Sequence, residues 1–162
     1  MERAFTDAPH EINNNDVTSE KIEKLIKVQL LKYARRRRMK SKNGYFVEIR
    51  KDGSVRATKD PESPYTALQI MSIGSDMLAI WGSEAELYIA VDGGKVTTST
   101  VEGRQCVFIE SLGQDFYSVY ETYHSVFDGH PRCLMVDDAG YLELSSKGTL
   151  PGSNGQFIWE IN

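Results

Sequence analysis

Three segments of this 162-residue chain repeat one pattern, and the repeat leaves few folds open. Phe46-Val47-Glu48-Ile49 leads to Gly53-Ser54-Val55, Tyr88-Ile89-Ala90-Val91 to Gly94-Lys95-Val96, and Cys133-Leu134-Met135-Val136 to Gly140-Tyr141-Leu142, with starts 42 and 45 residues apart. Each unit reads as a β-hairpin: alternate positions such as Val47 and Ile49 face inward, a glycine supplies positive φ at the turn, and an aliphatic residue opens the return strand. A second apolar alternation follows each hairpin, at Leu68 and Ile70, Cys106 and Phe108, and Phe157 and Trp159. Three four-stranded copies predict a threefold barrel with one capped end, an all-β chain of β-trefoil type. A propeller blade has a similar repeat, but three blades are too few to close a ring.

The first forty residues follow other rules. Residues 1–20 are polar, with Asn13-Asn14-Asn15 and few large apolar groups, and are predicted to form a disordered tail. Residues 21–42 form a basic N-terminal arm. Ser19, just ahead of it, with Ile22, Leu25, Ile26, Gln29, Leu30 and Tyr33 fits a capped amphipathic helix, while Val28 to Tyr33 equally fits an early strand. The trefoil domain is assigned to residues 43–162.

Charge sharpens this division. From Lys21 to Lys42 there are ten Lys or Arg against the single acid Glu23, whereas from Gly44 onward there are eight against seventeen Asp or Glu. The net charge of −4 therefore averages a basic arm and an acidic barrel. Such asymmetry points to a polyanionic partner for the arm. Arg35-Arg36-Arg37-Arg38 with Lys40 and Lys42 can clamp sulfate groups bidentately. The same clustered charge also serves a nuclear import or nucleic-acid patch, or a protease-processing site.

Several stretches match a known family. Gly44-Tyr45-Phe46-Val47-Glu48-Ile49 with Asp52-Gly53-Ser54-Val55 and Ala57-Thr58-Lys59-Asp60 forms the first. Leu87-Tyr88-Ile89-Ala90-Val91 forms the second, and Cys106-Val107-Phe108-Ile109-Glu110 followed by Tyr117-Ser118-Val119-Tyr120 forms the third. Together they resemble the fibroblast growth factors over about Arg35 to Trp159, more closely in the first two repeats than in the third. The resemblance implies a signalling ligand that binds a receptor tyrosine kinase ectodomain, with heparan sulfate or another polyanion as co-receptor. It carries receptor contacts onto Glu110 and Tyr117, and places Met39 or Lys40 where the family has an aromatic residue. Glu160 stands where the family has a hydrophobic one. Polyanion contacts are expected at Arg35, Arg36, Arg37, Arg38, Lys40 and Lys42, with Lys147 alone representing the basic loop that the family carries after its third hairpin. A second reading follows the family's intracellular homologous factors, which lack signal sequences and bind ion-channel tails. A third, resting on fold analogy alone, is a different trefoil such as an interleukin-1-like cytokine or an actin-bundling module.

Other features read as structural. Cys106 alternates with Phe108 and is expected to pack inside, and two cysteines are too few for a disulfide framework. His124, His130, Cys133 and Asp128 match no zinc spacing, so no metal is expected. Trp81 and Trp159 read as packing residues; the ricin-type Gln-x-Trp repeat is missing. No nucleophile elbow, phosphate loop or paired-carboxylate signature occurs, so neither an enzyme nor a cofactor is expected. No apolar run approaches the roughly 20 residues that cross a bilayer, and no signal-type stretch opens the chain. The growth-factor reading predicts a secreted protein, the homologous-factor reading a cytoplasmic or nuclear one. No specific nucleic acid and no membrane insertion are expected.

Overall fold

A computed structural model describes residues 36–123, 130–146 and 149–161. Candidate helix 22–33, together with Arg35, His124, Asp128 and Lys147, lies outside them.

Twelve strands among the described residues fall into three consecutive sets of four. The first set is β1 (Arg37–Ser41), β2 (Phe46–Ile49), β3 (Val55–Thr58) and β4 (Leu68–Gly74). The second is β5 (Met77–Gly82), β6 (Leu87–Asp92), β7 (Lys95–Ser99) and β8 (Phe108–Leu112), and the third is β9 (Ser118–Thr122), β10 (Leu134–Val136), β11 (Leu142–Leu144) and β12 (Phe157–Ile161). The first and fourth strand of each set build a closed barrel. Its order is β1, β12, β9, β8 and β5, and β4 closes the ring by pairing with both β5 and β1. The predicted β-trefoil is the observed fold.

The predicted hairpins are β2–β3, β6–β7 and β10–β11, with Ile49 facing Val55, Val91 facing Val96 and Val136 facing Leu142. Gly53 and Gly140 sit at φ of 90° and 86°, the left-handed geometry that the spacing called for. The three hairpins converge on one another. Thr98 Oγ1 donates to the Gly53 carbonyl at 2.9 Å, and the Ala57 N–H donates to the Gly140 carbonyl at 2.7 Å.

Threefold symmetry extends into the core. Leu68, Phe108 and Phe157, each fully buried, open the fourth strand of their set two residues after a 3-10 turn. The registers of the first strands bring Met39, Ile80 and Tyr120 to equivalent inward positions, all fully buried. Packing between the repeats is tight: a Cβ on Gly82 would lie 2.8 Å from Ile49 Cβ.

One boundary moves. The segment assigned to an arm ahead of the first strand is itself, from Arg37 to Ser41, the first barrel strand, paired along its length with β12. Bulky basic side chains at alternate positions do not oppose a strand whose other face carries Met39 and Ser41 inward.

Candidate functional site

Strand alternation decides what the basic run presents. Met39 and Ser41 are fully buried, so Arg38 and Lys40 face outward, and exposed Lys42 continues the row just past the strand. Arg36 is exposed, whereas half-buried Arg37 shares the register of Met39 and faces Ile161 and Leu68 across its two partner strands. The contiguous run therefore divides between two faces.

Arg38, Lys40 and Lys42 each have a carboxylate beside them. Glu160 stands opposite Arg38 in the β1–β12 register. Its Oε1 lies 3.8 Å from an Arg38 nitrogen and its Oε2 3.7 Å from Lys40 Nζ. Arg38 also donates to the Pro61 carbonyl at 3.0 Å. Beneath both cations lies the buried Phe46 ring, whose centroid is 5.4 Å from the Arg38 guanidinium and 5.6 Å from Lys40 Nζ. The charged group found where a hydrophobic one was expected is thus paired twice.

Lys42 links this row to the β8–β9 turn. Its Nζ donates to Asp115 Oδ2 at 2.7 Å and sits 5.3 Å from the centroid of the Tyr117 ring. The Lys42 hydrogen bond, reinforced by the Tyr117 N–H, holds the Asp115 carboxyl below its ordinary range. Phe116, beside them, is 73% exposed and held at φ 69°.

Glu110 has a different setting. On β8 it faces Tyr120 of β9, and its Oε2 accepts the Tyr120 hydroxyl at 2.7 Å. The Tyr120 hydroxyl oxygen in turn accepts Trp159 Nε1–H at 2.7 Å. Burial first, and Glu110 second, push the Tyr120 phenol well above its ordinary range. Glu110 is thereby fixed in direction, and Trp159 is a packing residue with a polar duty.

Met39 does not join this surface. With no exposure it belongs to the barrel core, and its place opposite Trp159 explains why an apolar residue stands there. A receptor contact at Met39 is excluded by burial. Asp137, in the third hairpin, is committed to its turn, accepting the N–H groups of Ala139 and Tyr141 at 2.9 Å each. Cys106 and Cys133 are free and buried, and burial pushes both thiols up, away from reactive thiolate. No cluster of three metal-ligating side chains exists among the described residues.

Sequence reasoning missed Asp115, Phe46 and Phe116 as parts of this surface, and saw Glu160 only as a charged residue in a hydrophobic residue's place. Extending the period-two alternation back to Arg37 would have exposed the row of Arg38, Lys40 and Lys42. Nothing in the sequence reveals that Asp115 reaches Lys42, because the two are brought together only by barrel closure.

A closed six-stranded barrel capped by three hairpins, with a cation and aromatic surface on β1 and the β8–β9 turn, defines a β-trefoil domain. The family model described as Fibroblast growth factor matches residues 35–156. Fibroblast growth factor 1 of Notophthalmus viridescens is 32% identical over 119 residues, covering 72% of this chain and 83% of that protein. Fibroblast growth factor 10 of Mus musculus is 25% identical over 123 residues, covering 75% of this chain and 59% of its own length. The chain belongs to the fibroblast growth factor family. Members of this family are signalling ligands rather than enzymes. Among the described residues no helix is long and apolar enough to cross a membrane.

Proposed function

We propose that this growth-factor domain binds a receptor tyrosine kinase ectodomain outside the cell, with heparan sulfate as co-receptor. The observation that carries the reading is Lys42. It ends the outward row of cations on β1 and covers the ring of Tyr117, so a polyanion track and a candidate receptor anchor share one residue. Glu110, locked by Tyr120 and Trp159, offers a fixed acceptor on the same β8–β9 hairpin. An aromatic body with a polar tip beside a preset carboxylate suits a small, specific contact.

On the polyanion side, Arg38, Lys40 and Lys42 stand about 7 Å apart along one strand face, the spacing of alternate strand residues. Arg36 extends the charge at the strand's start, Arg37 stands on the other face of β1, and Arg35 and Lys147 belong to the same reading.

The test is binding of purified chain to receptor ectodomains, with and without heparin. Saturable binding at micromolar concentration or below, strengthened by heparin and weakened by Tyr117→Ala, is expected. No binding under either condition would refute the proposal.

A further inference from the structure

The cations on β1 are not vacant, and that has a consequence for anything that binds them. Arg38 and Lys40 share one carboxylate, Glu160, at 3.8 and 3.7 Å. Both distances exceed hydrogen-bond range, and Glu160 is 36% exposed, so this pairing is loose and open to solvent. The two cations are held instead by other contacts. Arg38 is anchored on the Pro61 carbonyl, and both cations lie over Phe46. Removing Glu160 therefore leaves them in place. By contrast Lys42 makes a short hydrogen bond to Asp115, which also receives the Tyr117 N–H and so belongs to the turn.

We infer that Glu160 is an internal counter-anion that occupies the Arg38–Lys40 pair and must be displaced, or tolerated as a repelling neighbour, when a sulfated glycan binds along β1. The inference rests on the polyanion reading above and adds a residue that sets its strength. A sulfate group reaching Arg38 and Lys40 enters the space in which Glu160 already sits. Like charges a few ångströms apart at a solvent-exposed site repel enough to weaken binding severalfold. The carboxylate also lowers the number of small counter-ions that the two cations hold and can release. Glu160 thus lowers the affinity of this part of the surface for sulfated chains severalfold.

The test is binding of the full chain to heparin across a salt series, comparing wild type, Glu160→Gln, Glu160→Ala and the double variant Arg38→Ala/Lys40→Ala. Both Glu160 variants are expected to bind roughly threefold to tenfold tighter. The slope of log affinity against log salt should steepen by about one. The double variant should bind more weakly. Thermal midpoints of both Glu160 variants are expected to stay near wild type, since the pair is exposed. If the double variant weakens binding while neither Glu160 variant strengthens it, the inference falls and the polyanion reading stands. If the double variant binds as wild type does, both fall. The same series run on duplex DNA separates the sources: a gain confined to DNA, with none for heparin, assigns the row to nucleic acid and overturns the inference as well.

Discussion

The indole N–H of Trp159 donates to the hydroxyl of Tyr120 at 2.7 Å, and that hydroxyl donates onward to Glu110 at 2.7 Å, so one buried phenol joins β12, β9 and β8. In the other two repeats the same core position is held by Met39 and Ile80. Tyr120→Phe keeps the ring and removes the link. It leaves Trp159 without an acceptor, and we expect a loss of about 1–3 kcal/mol in denaturant unfolding. Because Glu110 is freed, receptor affinity should fall while heparin affinity stays unchanged.

Met39 tests burial against surface display. Met39→Ala removes a fully buried side chain at the barrel centre and should cost about 2–5 kcal/mol. Met39→Leu conserves volume and should cost less than about 1.5 kcal/mol. Its receptor binding should match that of wild type, since Met39 reaches no surface. Titration of the leucine variant against the ectodomain checks this.

Alkaline pH should destabilise the fold through Tyr88. Burial, followed by the nearby Glu102 carboxylate, pushes its phenol up to about 12 from an ordinary 10.0. The folded state therefore holds this proton more tightly than the unfolded chain does. The stabilising contribution is full below pH 10 and is lost as pH rises from 10 to 12. Tyr120, also raised, adds to the same slope. Tyr88→Phe should flatten the fall of the thermal midpoint across that window without abolishing it.

Phe116 is a large side chain in the left-handed region at φ 69°, with 73% of its surface exposed. Asparagine tolerates that backbone better and gives up little packing. Phe116→Asn should raise stability by about 0.5–1 kcal/mol, read as a higher thermal midpoint. An unchanged or lower midpoint would show that the ring is held by contacts worth more than the strain.

Much of the fold was legible because its signals are local. Period-two alternation and turn glycines at Gly53, Gly94 and Gly140 located all three hairpins, and the repeat fixed the barrel. The start of β1 was hidden for an electrostatic reason: four consecutive arginines read as a solvated arm, although only alternate positions of a strand need be apolar. For the surface, Glu110 and Tyr117 were found by resemblance, while Met39 was misplaced because its buried neighbours come from β12, at the far end of the chain. Glu160 read alone is a charged residue where the family has a hydrophobic one. Its partners Arg38 and Lys40 become visible only once the last strand is laid beside the first.

That same pairing governs the order of events during synthesis. β1 is among the first barrel segments to leave the ribosome, yet its longest partner, β12, is the last. Until translation reaches residues 157–161, the nascent barrel stands open, with the edges of β1 and β9 unpaired and Met39 uncovered on that side. Closure must then bring together the two ends of almost the entire domain, a slow step for a chain dominated by distant pairings. Stop codons or frameshifts just ahead of Phe157 should therefore yield sticky, chaperone-bound polypeptide rather than a shortened ligand.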